Sequence, residues 1–247
     1  MRLDLSAPHT VYKGHAGNRL TGVTTYLGVL AKPQLLGWYA SMEREGVARY
    51  AKDGRPLPLK KDGKPLWFAE VKRDKAADLG TVVHFRAECW LKGEHAEADG
   101  IPPDLWSASQ HGLDRFVAWW NGEGLILEAS ERVLVYENGA MSFGGTADIV
   151  AGDVEGRRVL VDLKTSKASP YWPYDEVFGQ VAAYAEALHL LDDERVDRIL
   201  VARIGKEPKD ELQVVELTEA QRKAGWTLFQ AAYDAYEAKK ALERTRK

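Results

Sequence analysis

Cysteine is almost missing from this chain of 247 residues, where Cys89 stands alone. A single thiol excludes an internal disulfide and any zinc or cluster site that needs several thiolates from one chain. Long apolar runs are missing as well. None reaches the length needed to cross a bilayer, and the opening Met1-Arg-Leu-Asp-Leu-Ser6 lacks the apolar stretch of a secretory signal. The expectation is a cytoplasmic protein with no membrane partner. No internal repeat or low-complexity tract is found, which excludes a solenoid.

What is present suits one globular core. Hydrophobic residues make up 45% of the chain, enough for a single domain over 1–247 with an elaborated N-terminal half. The expected parts are a mainly helical stretch with basic elements over 1–122, a sheet core over 123–217 and a C-terminal helix over 218–247. Net charge is −3, but residues 1–80 carry 14 Lys and Arg against 8 Asp and Glu. A surface that meets phosphate should be basic, so the N-terminal part is expected to form much of any such groove; a solvated charged face is the alternative. Hydrophobic spacing predicts helices over 23–30, 33–50, 68–91, 107–121, 173–190 and 219–243. Strands are predicted over 126–137, 140–150, 157–164, 195–204 and 211–216, with an exposed basic loop over 52–65. Helices, three strands in hairpin order, a helix, two strands and a last helix make an α/β chain with a mixed sheet.

Gly145-Thr-Ala-Asp148, followed by Asp162-Leu-Lys164 at the end of an apolar run, carries the chemistry. The turn residues Gly152-Asp-Val-Glu-Gly156 between them predict a hairpin that brings Asp148 beside Asp162, at the ends of neighbouring strands. Two close carboxylates repel each other unless a cation neutralises them, and hard oxygen ligands suit Mg²⁺ or Mn²⁺. Lys164 lies two residues beyond Asp162 and therefore shares its side of the strand. A pocket with metal and ammonium can bind a phosphate, activate a water and stabilise developing charge. Gly144 and Gly145 are expected to let the backbone approach a metal or a DNA strand closely. Downstream, Gln180 and Tyr184 stand one turn apart on a predicted helix face. Upstream, Leu79-Gly-Thr-Val-Val-His84 opens a helical stretch.

His84, Asp148, Asp162-x-Lys164 and Gln180-x-x-x-Tyr184, in that order, resemble the RecB-like exonuclease branch of the PD-(D/E)XK nuclease superfamily. Arg19-Leu-Thr-Gly-Val-Thr-Thr-Tyr-Leu-Gly-Val-Leu-Ala-Lys-Pro33, continuing to Leu36-Gly-Trp38, is similar to the opening of phage-type members. The resemblance implies a restriction-endonuclease-like αβββαβ core. It further implies a Mg²⁺- or Mn²⁺-dependent nuclease acting on DNA with a free end, in recombination, repair or replication, in a bacterial or phage-infected cell. Some relatives carry a four-cysteine iron–sulfur cluster, which this chain cannot build. No Gly-x-x-x-x-Gly-Lys-Ser/Thr loop is present, so unwinding would fall to a helicase or recombination partner protein.

Under that resemblance Asp148, Asp162, Lys164, Gln180 and Tyr184 are the catalytic candidates. His84, Asp148, Asp162 and the Leu163 backbone carbonyl are the candidate metal ligands. Asp162 lies in a strand too apolar for an unpartnered carboxylate. Lys164 is read as orienting and charge-stabilising, because neighbouring carboxylates push its pKa away from that of a base. His84 is either a ligand through neutral imidazole, which favours Mn²⁺, or a packing residue at a core boundary. Gln180 and Tyr184 either contact phosphate and water or serve as ordinary helix residues. Glu131 is expected to act through the ligands rather than on the metal. Arg19, Thr24, Thr25, Lys32, Trp38 and Lys167 are candidate DNA contacts. A structure-selective endonuclease and a non-cleaving DNA-binding or assembly protein on the same fold are the competing readings.

Overall fold

The computed structural model describes residues 1–5, 10–54, 59–60, 63–64, 67–166, 172–193, 195–207 and 209–246. In chain order these form β1 (Tyr12–Lys13), β2 (Arg19–Leu20), α1 (Val23–Leu27), α2 (Pro33–Asp53), α3 (Phe68–Leu91), α4 (Pro103–Ala108) and α5 (Gln110–Glu123). There follow β3 (Ile126–Glu137), β4 (Ser142–Gly152), β5 (Arg158–Ser166), α6 (Asp175–Asp192), β6 (Arg198–Gly205), β7 (Gln213–Glu216) and α7 (Glu219–Arg244). The chain divides into two compact units, one of Met1–Leu30 with Val82–Lys247 and one of Ala31–Thr81.

The larger unit is built on a five-stranded mixed sheet in the order β3-β4-β5-β6-β7. β3, β4 and β5 form an antiparallel meander, and β6 runs parallel to β5. A parallel neighbour needs a crossover connection, and α6 supplies it. The order helix, β3, β4, β5, α6, β6 is the expected αβββαβ core. Both faces of the central strands are covered, so β5 and β6 are apolar almost throughout instead of alternating. One core gathers Leu134, Phe143, Leu160 and Val201 of the sheet with Val181 and Leu188 of α6, Phe229 of α7 and Tyr26 of α1. Elsewhere α5 meets β6, where His111 contacts the Gly205 carbonyl at 3.0 Å and Gly112 leaves room for Ile204.

The β4–β5 hairpin is clamped at its turn by Asp153. One carboxylate oxygen accepts from the backbone N–H of Glu155 and of Arg157, both at 3.0 Å. The other accepts from Arg157 Nε at 2.8 Å and from Arg198 Nη1 of β6 at 3.3 Å. Gly156 takes a positive φ of 77°, which glycine tolerates without steric cost. α7 opens on a capping box in which Thr218 and Gln221 satisfy each other's backbone N–H groups.

In the smaller unit, α2 runs three residues past the expected end at 50 and stops where Gly54 turns left-handed. The Phe68 ring lies over Gly46 and 4.7 Å from the Tyr50 ring, and Glu43 accepts from the Ala69 N–H at 2.8 Å. The basic loop expected over 52–65 therefore begins later, and much of it lies outside the described residues.

Three elements have no counterpart in the sequence expectations. β1 and β2 are two residues each, too short to show periodicity, and α4 is a six-residue helix entered through Pro102-Pro103.

Candidate active site

Asp148 and Asp162 lie inside β4 and β5 rather than at the ends expected for them; what ends beside them is the pairing between the strands. The β4–β5 ladder runs from Gly152↔Arg158 to Ile149↔Val161 and goes no further. β5 continues along β6 to Ser166, so the two strands part where the carboxylates stand. Asp148 Oδ2 accepts from the Leu163 N–H at 2.7 Å, a backbone donor released by the parting.

Lys164 reaches back to Asp162 at 2.6 Å, as strand alternation requires. Gln180 of α6 binds the pair from both ends: its Nε2 donates to Asp162 Oδ1 at 3.3 Å and its Oε1 accepts from Lys164 Nζ at 3.4 Å. The same Nε2 donates to the Tyr184 hydroxyl at 3.2 Å. Asp162, Lys164, Gln180 and Tyr184 are thus one hydrogen-bonded set. Asp162 is 1% exposed, and burial pushes its carboxyl up against the pull of Lys164. Burial pushes the Lys164 ammonium down, but Asp162 and Asp148 outweigh it and hold it above the ordinary lysine range. Burial, with Asp162 and Asp148 adding to it, also raises the Tyr184 phenol, which keeps its proton.

A second set stands beside the first. His84 of α3, Glu131 of β3 and Asp148 each offer one ligand atom, all within 4.8 Å of one another. His84 Nδ1 lies 3.8 Å from Asp148 Oδ2. Ser130 pairs with Ile149 and Arg132 with Ala147, which places Glu131 in register with Asp148. Glu131 holds a φ of 48°, a left-handed conformation that costs a non-glycine residue of order 1–3 kcal/mol. Burial first, then the charges of Asp148 and Glu88, push its carboxyl up to about 7. Two crowded carboxylates with an imidazole form the mixed oxygen and nitrogen donor set that takes a divalent cation. Glu131, expected to act at one remove, offers its oxygen within the group itself; Asp162 stands with Lys164 instead.

The two glycines before Asp148 do something other than expected. A Cβ on Gly144 would run into Tyr12 of β1, and one on Gly145 into the Tyr184 ring. Their open positions are filled by aromatic rings, not left for an approaching ligand. The Tyr12 hydroxyl lies 3.1 Å from Thr146 Oγ1, and the Gly144 N–H donates to the Thr21 carbonyl at 3.0 Å, so the N-terminal segment is laid along β4. Neither Tyr12 nor Thr146 was legible beforehand; the one signal for Tyr12 was Gly144, which leaves room for its ring.

The remaining candidates are dispersed. Arg19 on β2 and Thr24 and Thr25 on α1 are exposed on the larger unit, while Lys32 and Trp38 belong to the smaller, with Trp38 half-buried against Tyr39. Lys167 lies outside the described residues. Cys89 is buried, and burial pushes its thiol up.

Comparison with known proteins gives matches of two kinds. An exonuclease candidate from Eubacterium rectale is 12% identical to the chain, covers 69% of it and 72% of itself, and superposes with a TM-score of 0.46. LHK-Exo, solved in complex with dAMP, is 15% identical over 69% of this chain and 91% of its own, with a TM-score of 0.37. No curated protein matches. The model of the PD-(D/E)XK nuclease superfamily matches residues 67–245, which takes in α3, the whole sheet and α7. With that match over most of its length, the chain belongs to the PD-(D/E)XK nuclease superfamily.

Proposed function

We propose that the protein is a Mg²⁺- or Mn²⁺-dependent deoxyribonuclease of the RecB-like type, which removes nucleotides from DNA ends. The observation that carries this reading is the meeting, where β4 and β5 part, of the His84, Glu131 and Asp148 donors with the Asp162, Lys164, Gln180 and Tyr184 set. PD-(D/E)XK nucleases use divalent metal ions, and the donor set fits one: its crowded acids need a cation, and its ligand types suit Mg²⁺ or Mn²⁺. In this reading His84, Glu131 and Asp148 would hold the ion, with Asp162 and the Leu163 carbonyl as the further candidate ligands. A bound ion lowers the pKa of water and offsets charge on the phosphate.

The chain's own residues do the rest. Lys164, kept charged by Asp162, holds the phosphate or the attacking water and stabilises the charge that develops. Gln180 fixes the orientation of both Asp162 and Lys164, and Tyr184 anchors Gln180 in turn. Helix α6 thereby sets the distance between the acid and the ammonium. The order of motifs along the chain supports the exonucleolytic form. Recombination, repair or replication in a bacterial or phage-infected cell is the setting that suits it, with a partner protein to unwind duplex.

Digestion of end-labelled linear single-stranded DNA, linear duplex and closed circular DNA, with Mg²⁺ or Mn²⁺, tests the reading. Loss of the linear substrates with survival of the circles is expected. Nicking of circles at a comparable rate would make it an endonuclease, and no cleavage of any substrate would remove the nuclease reading.

A further inference from the structure

We propose that Trp172 and Tyr174 form a stacking platform for unpaired bases of a DNA end, so that the strand bound beside the active site is single-stranded. The inference rests on the nuclease reading and names the substrate class for that same site. Among the described aromatic residues of the larger unit, these two alone are exposed, Trp172 at 62% and Tyr174 at 49%. Large rings so placed are normally turned inward, so a pair facing solvent marks a contact surface.

The pair is built, not frayed. Pro173 between them is buried, and a proline restricts the residue before it to extended conformations. Tyr174, the N-cap of α6, is itself extended, with φ −68° and ψ 157°. In an extended stretch alternate side chains share a side, so burying Pro173 turns both rings outward together. The Trp172 ring is held 5.9 Å from Phe178, inside the first turns of α6. The Trp172 ring is therefore presented at little entropic cost on binding.

Position ties the pair to the reaction. From Tyr174 to Gln180 the helix climbs ~9 Å, and Gln180 touches Asp162 and Lys164. Phosphates of one strand repeat every ~3.4 Å along a duplex axis and further apart when stretched. The rings are thus within reach of bases one to three nucleotides from a phosphate at Lys164. Asp175 and Glu176 follow at once in the first turn of α6. Acidic residues at this edge do not favour phosphate, so base faces are the better partner for the two rings. Every base has a π-face, so such a platform is indifferent to sequence, but it requires the base to be unpaired.

The test compares the wild-type protein with Trp172→Ala, Trp172→Leu and Tyr174→Ala. The leucine variant keeps apolar bulk against Phe178 and removes the ring, which covers the case of a poorly folded alanine variant. Steady-state hydrolysis of a single-stranded oligonucleotide is read beside that of bis(p-nitrophenyl) phosphate, a diester without bases. KM for the oligonucleotide is expected to rise about tenfold in Trp172→Leu, the effect of one lost stack. The rate on the small diester should stay unchanged. An unchanged KM in folded Trp172→Leu and Tyr174→Ala overturns the platform while leaving the nuclease intact. If the wild type hydrolyses neither substrate the nuclease reading has failed instead. Quenching of a 2-aminopurine oligonucleotide in Ca²⁺ then decides the platform alone: quenching lost with Trp172 supports it, and quenching that is absent or unaffected rejects it.

Discussion

At the scale of single residues, the proposed function gives the two sets that meet at Asp148 separable roles, and substitution should separate them. His84→Ala removes one donor from the group with Glu131 and Asp148, so the metal-activation curve should shift to higher Mn²⁺ while saturating metal recovers part of the rate. Lys164→Ala removes a charge that is no ligand; turnover should fall by ~10²–10³-fold at every metal concentration, the loss typical of one electrostatic donor. Calorimetric metal titration of both variants checks this, and an unaltered activation curve in His84→Ala would return the imidazole to a packing role. Of this site, Asp148, Asp162 and Lys164 were legible because hairpin and strand periodicities are local. The place of Glu131 beside His84 and Asp148 was not. It depends on a left-handed residue in mid-strand, and nothing in Ala129-Ser-Glu131-Arg-Val announces a positive φ.

At the scale of elements, long periodic segments were legible, and so in outline were α1 and β7, whereas the two-residue strands were not. α3 and β3 fall on the expected residues 68–91 and 126–137, because many turns of helix or many alternations accumulate one signal. β1 and β2 escape because a two-residue strand has no period, yet they bring Tyr12 onto β4. The β4–β5 hairpin offers an element-scale prediction through Asp153. Burial pushes that carboxyl up, but the Arg157 backbone N–H and guanidinium outweigh burial and hold it at about 2. A carboxyl depressed in the folded state adds stability that is complete above its unfolded pKa of ~3.9 and is lost as pH falls through the folded value. Acid unfolding between about pH 4 and 2 should therefore include an Asp153 contribution. Asp153→Asn should lower the unfolding temperature at pH 6 and flatten its fall below pH 4, read by circular dichroism. An equally steep acid limb in the variant would contradict the clamp.

At the scale of the whole molecule, the overall charge of −3 says little about a nucleic-acid partner, because charge acts where it lies. The same holds for stability. An ion that binds the folded chain and not the unfolded one stabilises it by about 2.7 kcal/mol at a hundred times its Kd. Mg²⁺ or Mn²⁺ should raise the unfolding temperature of the wild type and not that of Asp148→Ala, as differential scanning fluorimetry would show; equal shifts in both would place the ion elsewhere. The meander of β3, β4 and β5 has a consequence in time as well as space. It carries Glu131, Asp148 and Asp162 on one local run of chain, and local contacts close before distant ones. By that rule the carboxylates should be drawn together by the meander, and Gln180 of α6 brought to Asp162 and Lys164 over similarly short stretches of chain, before His84 arrives from far upstream. For that interval the nascent sheet would hold Glu131 beside Asp148 without the imidazole that completes the group. The molecule meets its electrostatic obstacle early, and refolding should speed up as divalent cation is added.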